Sequence, residues 1–368
     1  MSKAAIVEAP RTTSRPRRNR PAALLAAGMA AVMIALVSLQ PAKADEGGVS
    51  FWLPGQFGSL AAVPLQPGLS VTEIYYHWQG SAGGDVAAAR EVTIGRFNPT
   101  LNVNLSGHVQ ALADLVLNNA TYAFATPVLG GQATIGLTSI FGRTDTSINA
   151  TLSGTLGPIP FMRTDSLFDV ATGFGDLYPM ATLRWNKGVD NYMVYVTGDL
   201  PVGLYNSSSI ANLGIGHYAI DSGAGYTYFN PQTGHEFSAV TGFTYNFINP
   251  STQYQNGIDW HLDWAASKFL TKQMFIGTVG YVYQQLTADS GSGDRIGAFE
   301  SRVIGIGPQI GFLFPVETPA GIMQGYLNIK GYAEFDRQNR AAGFDTWVTF
   351  SISPAPQASA QPTLVRKY

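Results

Sequence analysis

The chain has no cysteine. That excludes a disulfide framework, thiolate metal sites and a cysteine nucleophile. Charge is scarce too: Asp, Glu, Lys and Arg make up 12% of the 368 residues, roughly half the usual quarter. So few charges leave little for the solvated exterior of a soluble domain, while 45% apolar residues argue against disorder. Beyond residue 44 no stretch approaches the ~18 consecutive apolar residues that a spanning helix needs. A Gly-x-Ser-x-Gly elbow and a Gly-x-x-x-x-Gly-Lys phosphate loop are both missing, so hydrolase and nucleotide-binding functions lose their usual signatures.

The first 44 residues read as a targeting segment. Arg11, Arg15, Arg17, Arg18 and Arg20 form a basic region, Pro21 to Leu39 is an Ala-rich apolar run, and Ala42-Lys43-Ala44 is a small-residue cleavage site before Asp45. The expectation is a secretory signal on the general export route. It holds 7 of the 22 basic and 1 of the 24 acidic residues, which leaves 15 basic against 23 acidic residues and a net charge of −8. No basic patch survives to attract nucleic acid.

Most of the remaining chain alternates with a period of two. In Phe174–Leu200, Leu177, Ala181, Leu183 and Trp185 fall on one side, and Asp176, Tyr178, Thr182, Arg184 and Asn186 on the other. After a turn at Lys187–Asp190, alternation resumes through Tyr192, Val194 and Val196. Successive strand side chains point to opposite faces, so this is a hairpin with one apolar and one polar face. The pattern predicts twelve strands, near 69–79, 101–117, 132–142, 174–186, 191–200, 216–229, 236–248, 257–269, 274–286, 301–314, 322–335 and 343–353. Val109, Leu112, Ala113 and Val116 give the second a helix-like spacing as well, and Asn118-Asn119 suggests a bulge at its end. Every second connection is tight, whereas 80–100, 143–173, 201–215 and 287–300 are long. Short turns alternating with long loops, over an even number of strands, describe an antiparallel up-and-down barrel of the outer-membrane type. The expected organisation is signal 1–44, irregular segment 45–68, all-β transmembrane barrel 69–353 and tail 354–368.

Aromatics near strand ends, including Tyr76, Trp78, Trp185, Tyr192, Tyr226, Tyr228, Phe247, Phe312, Phe314 and Phe344, suggest interfacial girdles. A charge on the lipid face at mid-depth costs about 2–4 kcal/mol for Arg or Lys, so ionisable groups should line the lumen. Parity then turns Glu73, His77, His108, Asp114, Asp176, Arg184, His217, Asp221, Asp259, His261 and Asp263 inward, with Tyr326, Lys330, Tyr332 and Glu334 of the eleventh strand. The Asp259-x-His261-x-Asp263 triplet puts three donors on one face, but same-face neighbours lie about 6.6–6.8 Å apart. That is too wide for one ion, so the expectation is a hydrated, salt-bridged wall with no metal and no cofactor. In the 45–68 segment, Phe51, Trp52, Leu53 and Phe57 need shelter from water, and the barrel mouth is the nearest, which predicts a plug.

Glu46-Gly47-Gly48, Leu53-Pro54-Gly55, Pro67-Gly68, Tyr75-Tyr76, Thr126-Pro127 with Gly130-Gly131, and Gly173-Phe174-Gly175-Asp176-Leu177 occur in an order that resembles the family called "protein involved in meta-pathway of phenol degradation". The resemblance implies an outer-membrane barrel associated with degradation of aromatic compounds, broadly similar to the fatty-acid and hydrocarbon channels, with no catalytic residues to carry over. The expected function is passive uptake of small hydrophobic or aromatic solutes, by a non-enzyme held in the outer-membrane bilayer after handling by periplasmic chaperones and the barrel-assembly machinery. A channel for small polar solutes, or a structural or adhesive barrel acting through 143–173, are the alternatives.

Overall fold

The computed structural model describes residues 50–84, 103–156, 159–294, 300–319 and 321–356. The expected signal, the connection near 85–102 and most of the tail lie outside them. Twelve strands run in order: β1 Gly68–Gly84, β2 Val103–Ala123, β3 Gln132–Leu156, β4 Ile159–Lys187, β5 Asp190–Asp199, β6 Ala219–Asn230, β7 His235–Asn246, β8 Asp259–Phe269, β9 Met274–Gln285, β10 Arg302–Thr318, β11 Gly321–Gln338 and β12 Ala342–Pro354. Each pairs antiparallel with its sequence neighbours, and β1 pairs with β12 to close the barrel. Closure supplies a partner strand on both sides of every strand, which is the condition for carrying backbone polar groups across hydrocarbon.

The turns after β2, β4, β6, β8 and β10, those expected to be tight, gather at one end, together with the start of β1 and the end of β12. In the β4–β5 turn Gly188 has φ +70°, a left-handed conformation that favours glycine. In outer-membrane barrels the short turns are periplasmic. On most strands burial alternates cleanly. In β5, for example, Met193, Tyr195, Thr197 and Asp199 are buried, while Tyr192, Val194 and Val196 are exposed to the outside. An aromatic belt marks the tight-turn end of the outer surface, where Tyr192 packs on Tyr226 with ring centroids 5.6 Å apart.

Two parts differ from the sequence expectation. The segment 143–173 is not a free loop: β3 and β4 stay paired from Phe141↔Phe174 out to Leu156↔Ile159. Beyond the membrane both faces of a ribbon meet water, so a Thr- and Ser-rich strand loses the alternation that identifies it. The expected bulge at Asn118-Asn119 is also missing, because β2 pairs in continuous register through both residues. The irregularity lies instead between β3 and β4, where Ser139 pairs with Leu177 and Phe141 with Phe174, so that the extra residue is on β4.

Candidate functional site

Residues 50–67 form no regular element, and their polar groups are taken by side chains from the inward faces of the barrel. Asp263 on β8 accepts from the backbone N–H of Gly55 at 2.9 Å and of Phe57 at 3.1 Å. Glu236 on β7 accepts from Ser59 Oγ at 2.8 Å and from Leu60 N at 3.0 Å. Three strands further round the barrel, Lys330 on β11 donates to the carbonyls of Gly55, Gln56 and Phe57, and the Tyr332 hydroxyl donates to the Gly55 carbonyl. Gln309 on β10 reaches Ser59 Oγ at 2.8 Å, and the Thr227 hydroxyl on β6 accepts from Ala62 N at 3.0 Å. The segment thus lies in the interior, bonded to the arc of strands from β6 to β11. Gly55 makes this path possible: its φ is +85°, and a Cβ there would lie 2.9 Å from the Tyr332 ring.

At the far end of the segment Trp52 stacks on His261, with centroids 3.4 Å apart and planes 15° apart. His261 Nε2 lies 3.0 Å from Asp221 Oδ2 and 3.2 Å from the Tyr195 hydroxyl. Asp221 Oδ2 also accepts from Thr244 Oγ1 at 2.6 Å. The Asp259, His261 and Asp263 side chains take different partners: Asn246 for Asp259, Asp221 and Tyr195 for His261, and the backbone of 55–57 for Asp263. Tyr326 stacks with Phe275, and the Tyr281 hydroxyl lies between Glu334 and Asp345, 2.7 and 2.9 Å from their carboxylate oxygens. Arg184, near the tight-turn end, donates to Thr182 at 2.7 Å, and His217 is buried at the other end.

Asp176 has a different task. It accepts from Gly203 N and Ile215 N, each at 2.7 Å, and so pins the 201–215 connection over the end of β4. Charged hydrogen bonds of this kind contribute about 1.5–3 kcal/mol each. Asp176→Ala is expected to lower thermal stability and expose 201–215 to protease while leaving the rest of the barrel resistant. Peptide mapping of limited digests checks this.

The structure corrects the parity of the first two strands. Ile74, Tyr76 and Trp78 of β1 face inward, with Tyr76 packed on Trp347 at 4.5 Å and Trp78 Nε1 donating to Glu334 at 3.0 Å. Their partners Leu115 and Leu117 on β2 are buried as well. Glu73, His77, His108 and Asp114 therefore point outward, not into the lumen. Asp114 meets His77 at 2.8 Å and the Tyr75 hydroxyl at 2.6 Å on that outer face. Placing charges inward is a rule for hydrocarbon depth. It gives the wrong face where the lumen wall is itself apolar and the outward face carries the charges. In sequence Tyr76 and Trp78 look like girdle residues, which conceals the apolar wall formed by Ile74, Tyr76, Trp78, Leu115, Leu117 and Ile140. Asp199, Glu236 and Asp345 also escape the sequence expectation, although the alternation of β5, β7 and β12 places each inward.

Residues 79–350 match the family described as "Putative MetA-pathway of phenol degradation". The chain belongs to that family. No curated protein matches it. Among solved structures it is similar to the COG4313 outer membrane channel from Pseudomonas putida F1, with a TM-score of 0.56 and 12% identity, covering 78% of this chain and 96% of that one. A Pseudomonas aeruginosa FadL homologue aligns at a TM-score of 0.36 and 10% identity, over 78% of this chain and 90% of that one. The first likeness shows the fold, that of an outer-membrane channel.

Proposed function

We propose that this chain is a passive outer-membrane channel for small hydrophobic or aromatic compounds, with residues 50–67 as a displaceable plug. In this reading the signal is removed after Ala44, periplasmic chaperones carry the chain, and the assembly machinery inserts it with the tight turns inward. The observation that carries the proposal is the apolar wall of β1–β3, which continues through Phe51 and Tyr178, whose rings lie 5.7 Å apart. A pore for sugars or ions gains nothing from half-buried Ile74 and buried Leu115, Leu117 and Ile140, whereas an apolar solute moving along them gains the transfer energy that makes entry favourable. Twelve strands enclose less space than the 16–18 that leave porins open, so a single irregular segment is enough to fill the bore.

The opposite wall, with Asp221, Asp259, His261 and Asp263 buried in the interior, supports a second reading as a channel for small polar solutes. Liposome swelling separates the two. Phenol and catechol are expected to enter at least about tenfold faster than glucose or arabinose of comparable osmotic strength, a difference of ~1.4 kcal/mol in barrier. Equal rates, or faster sugars, favour the polar reading.

A further inference from the structure

The walls at the level of Trp52 differ in hydrogen-bonding sign. Asp199 is 2% exposed and neither of its oxygens has a hydrogen-bond partner. Asp221, 1% exposed, uses Oδ2 for Thr244 and His261 but leaves Oδ1 unpartnered. Asn246 Oδ1 and His261 Nδ1 are likewise unpartnered. When Nε2 carries the proton shared with Asp221, Nδ1 is an acceptor too. Every one of these atoms then accepts; the indole N–H of Trp52 is a buried donor beside them that is also unpartnered.

The register brings the two carboxylates together. Thr197 pairs with Asp221 and Asp199 with Ala219, so Asp199 and Asp221 are diagonal neighbours on the inward face of β5–β6, a spacing of about 7–8 Å between Cα atoms. Across β4, the Met180↔Thr197 register continues through the Leu177↔Leu200 bridge and sets Tyr178 opposite Asp199. Tyr195 and Trp52 close the other side, with ring centroids 6.0 Å apart. The chain's own cations are committed elsewhere. Lys330 is bonded to the carbonyls of 55–57, Arg184 sits at the tight-turn end on Thr182, and no Lys or Arg among the described residues forms an ion pair with Asp199 or Asp221. The nearby titratable groups are the phenols of Tyr178 and Tyr195, with His261, His217 and Asp176, the last with both oxygens engaged by the backbone. Buried carboxylates need a donor or a cation, and aromatic faces add cation–π attraction for an ammonium.

We infer that the lumen between Asp199 and Asp221 is a binding site for the ammonium group of a small aryl-alkylamine, with the aryl ring lying among Phe51, Trp52 and Tyr178. This rests on the channel reading and narrows its solute class: among small aromatics, cationic amines are held, neutral alcohols less so, and carboxylates are rejected. The test is calorimetric titration of the purified full chain in detergent with 2-phenylethylammonium, 2-phenylethanol and phenylacetate. The ammonium is expected to bind at least about tenfold tighter than the alcohol, equivalent to ~1.4 kcal/mol, and phenylacetate weakest of the three. Asp199→Asn combined with Asp221→Asn is expected to reduce the ammonium to the affinity of the alcohol without changing the latter. Equal wild-type affinities, no binding of any of the three, a preference for phenylacetate, or a preference surviving in the double variant each overturn the inference. The three-ligand comparison on wild-type protein decides even if the double variant does not fold. Phenol swelling distinguishes the levels: rapid phenol entry without amine preference sinks the site alone, whereas absence of phenol entry sinks the channel reading.

Discussion

Removal of residues 46–60 is expected to raise single-channel conductance in planar bilayers several-fold and to flatten the difference between phenolics and sugars. The deleted stretch includes Trp52, Phe57, Ser59 and the three carbonyls that Lys330 holds. Its anchoring is polar at the centre, through Asp263, Glu236, Lys330 and Tyr332, and apolar at the tip, through Phe51 and Trp52. That division suits a displaceable element, because an apolar solute competes with the tip while the central bonds keep the segment tethered. After deletion, Asp263 on β8 and Lys330 on β11 remain in the interior with their backbone partners gone, and water entering the bore solvates both. Lys330→Met is a milder version, since it removes three donations but leaves Asp263 gripping Gly55 and Phe57. It is expected to increase the frequency of open events more than their amplitude. Unchanged conductance and uptake in the deletion variant would falsify the plug and make the segment a mere connector.

The strand count was legible because alternation is strong wherever one face meets lipid and the other the lumen. β8 is the plain case: Asp259, His261, Asp263 and Ala265 are buried, whereas Trp260, Leu262 and Trp264 face out. Legibility fails where that asymmetry disappears. In the outer β3–β4 ribbon both faces are wet, so Thr144–Thr155 carries no period and reads as a loop. In β1 and β2 both faces hold apolar residues while the charged ones lie on the outer face, so a rule based on charge selects the wrong one. The hydrogen bonds between segment 50–67 and Asp263, Glu236 and Lys330 span 176 to 275 residues of sequence. No local signal records such pairings. The Phe51-Trp52 pair was visible as an apolar cluster needing shelter, but its partners Tyr178 and His261 emerge only from closure of the barrel.

Leu262→Arg is expected to abolish the folded, heat-modifiable form, whereas Gln273→Arg leaves it intact. Leu262 sits on the outer face of β8 between the outward indoles of Trp260 and Trp264, and it pairs with Thr241 on β7 and Val282 on β9, well inside both ladders. An arginine there meets hydrocarbon near mid-depth, at a cost of about 2–4 kcal/mol. Gln273 lies exposed in the tight turn before β9, where the same side chain meets water. Nearer that turn, β8 already carries an outward charge: Lys268 Nζ donates to the Thr233 carbonyl at 2.5 Å, so charge is tolerated once the strand leaves the apolar belt. His261→Arg is no control for this comparison, because His261 is fully buried under Trp52 and its replacement perturbs the interior. The measurement is the fraction of unboiled protein migrating as the compact species after refolding into lipid vesicles. Equal fractions for Leu262→Arg and Gln273→Arg would show that position 262 does not face hydrocarbon, and with it the inward placement of Asp263 and the grip on residues 55–57 would be lost.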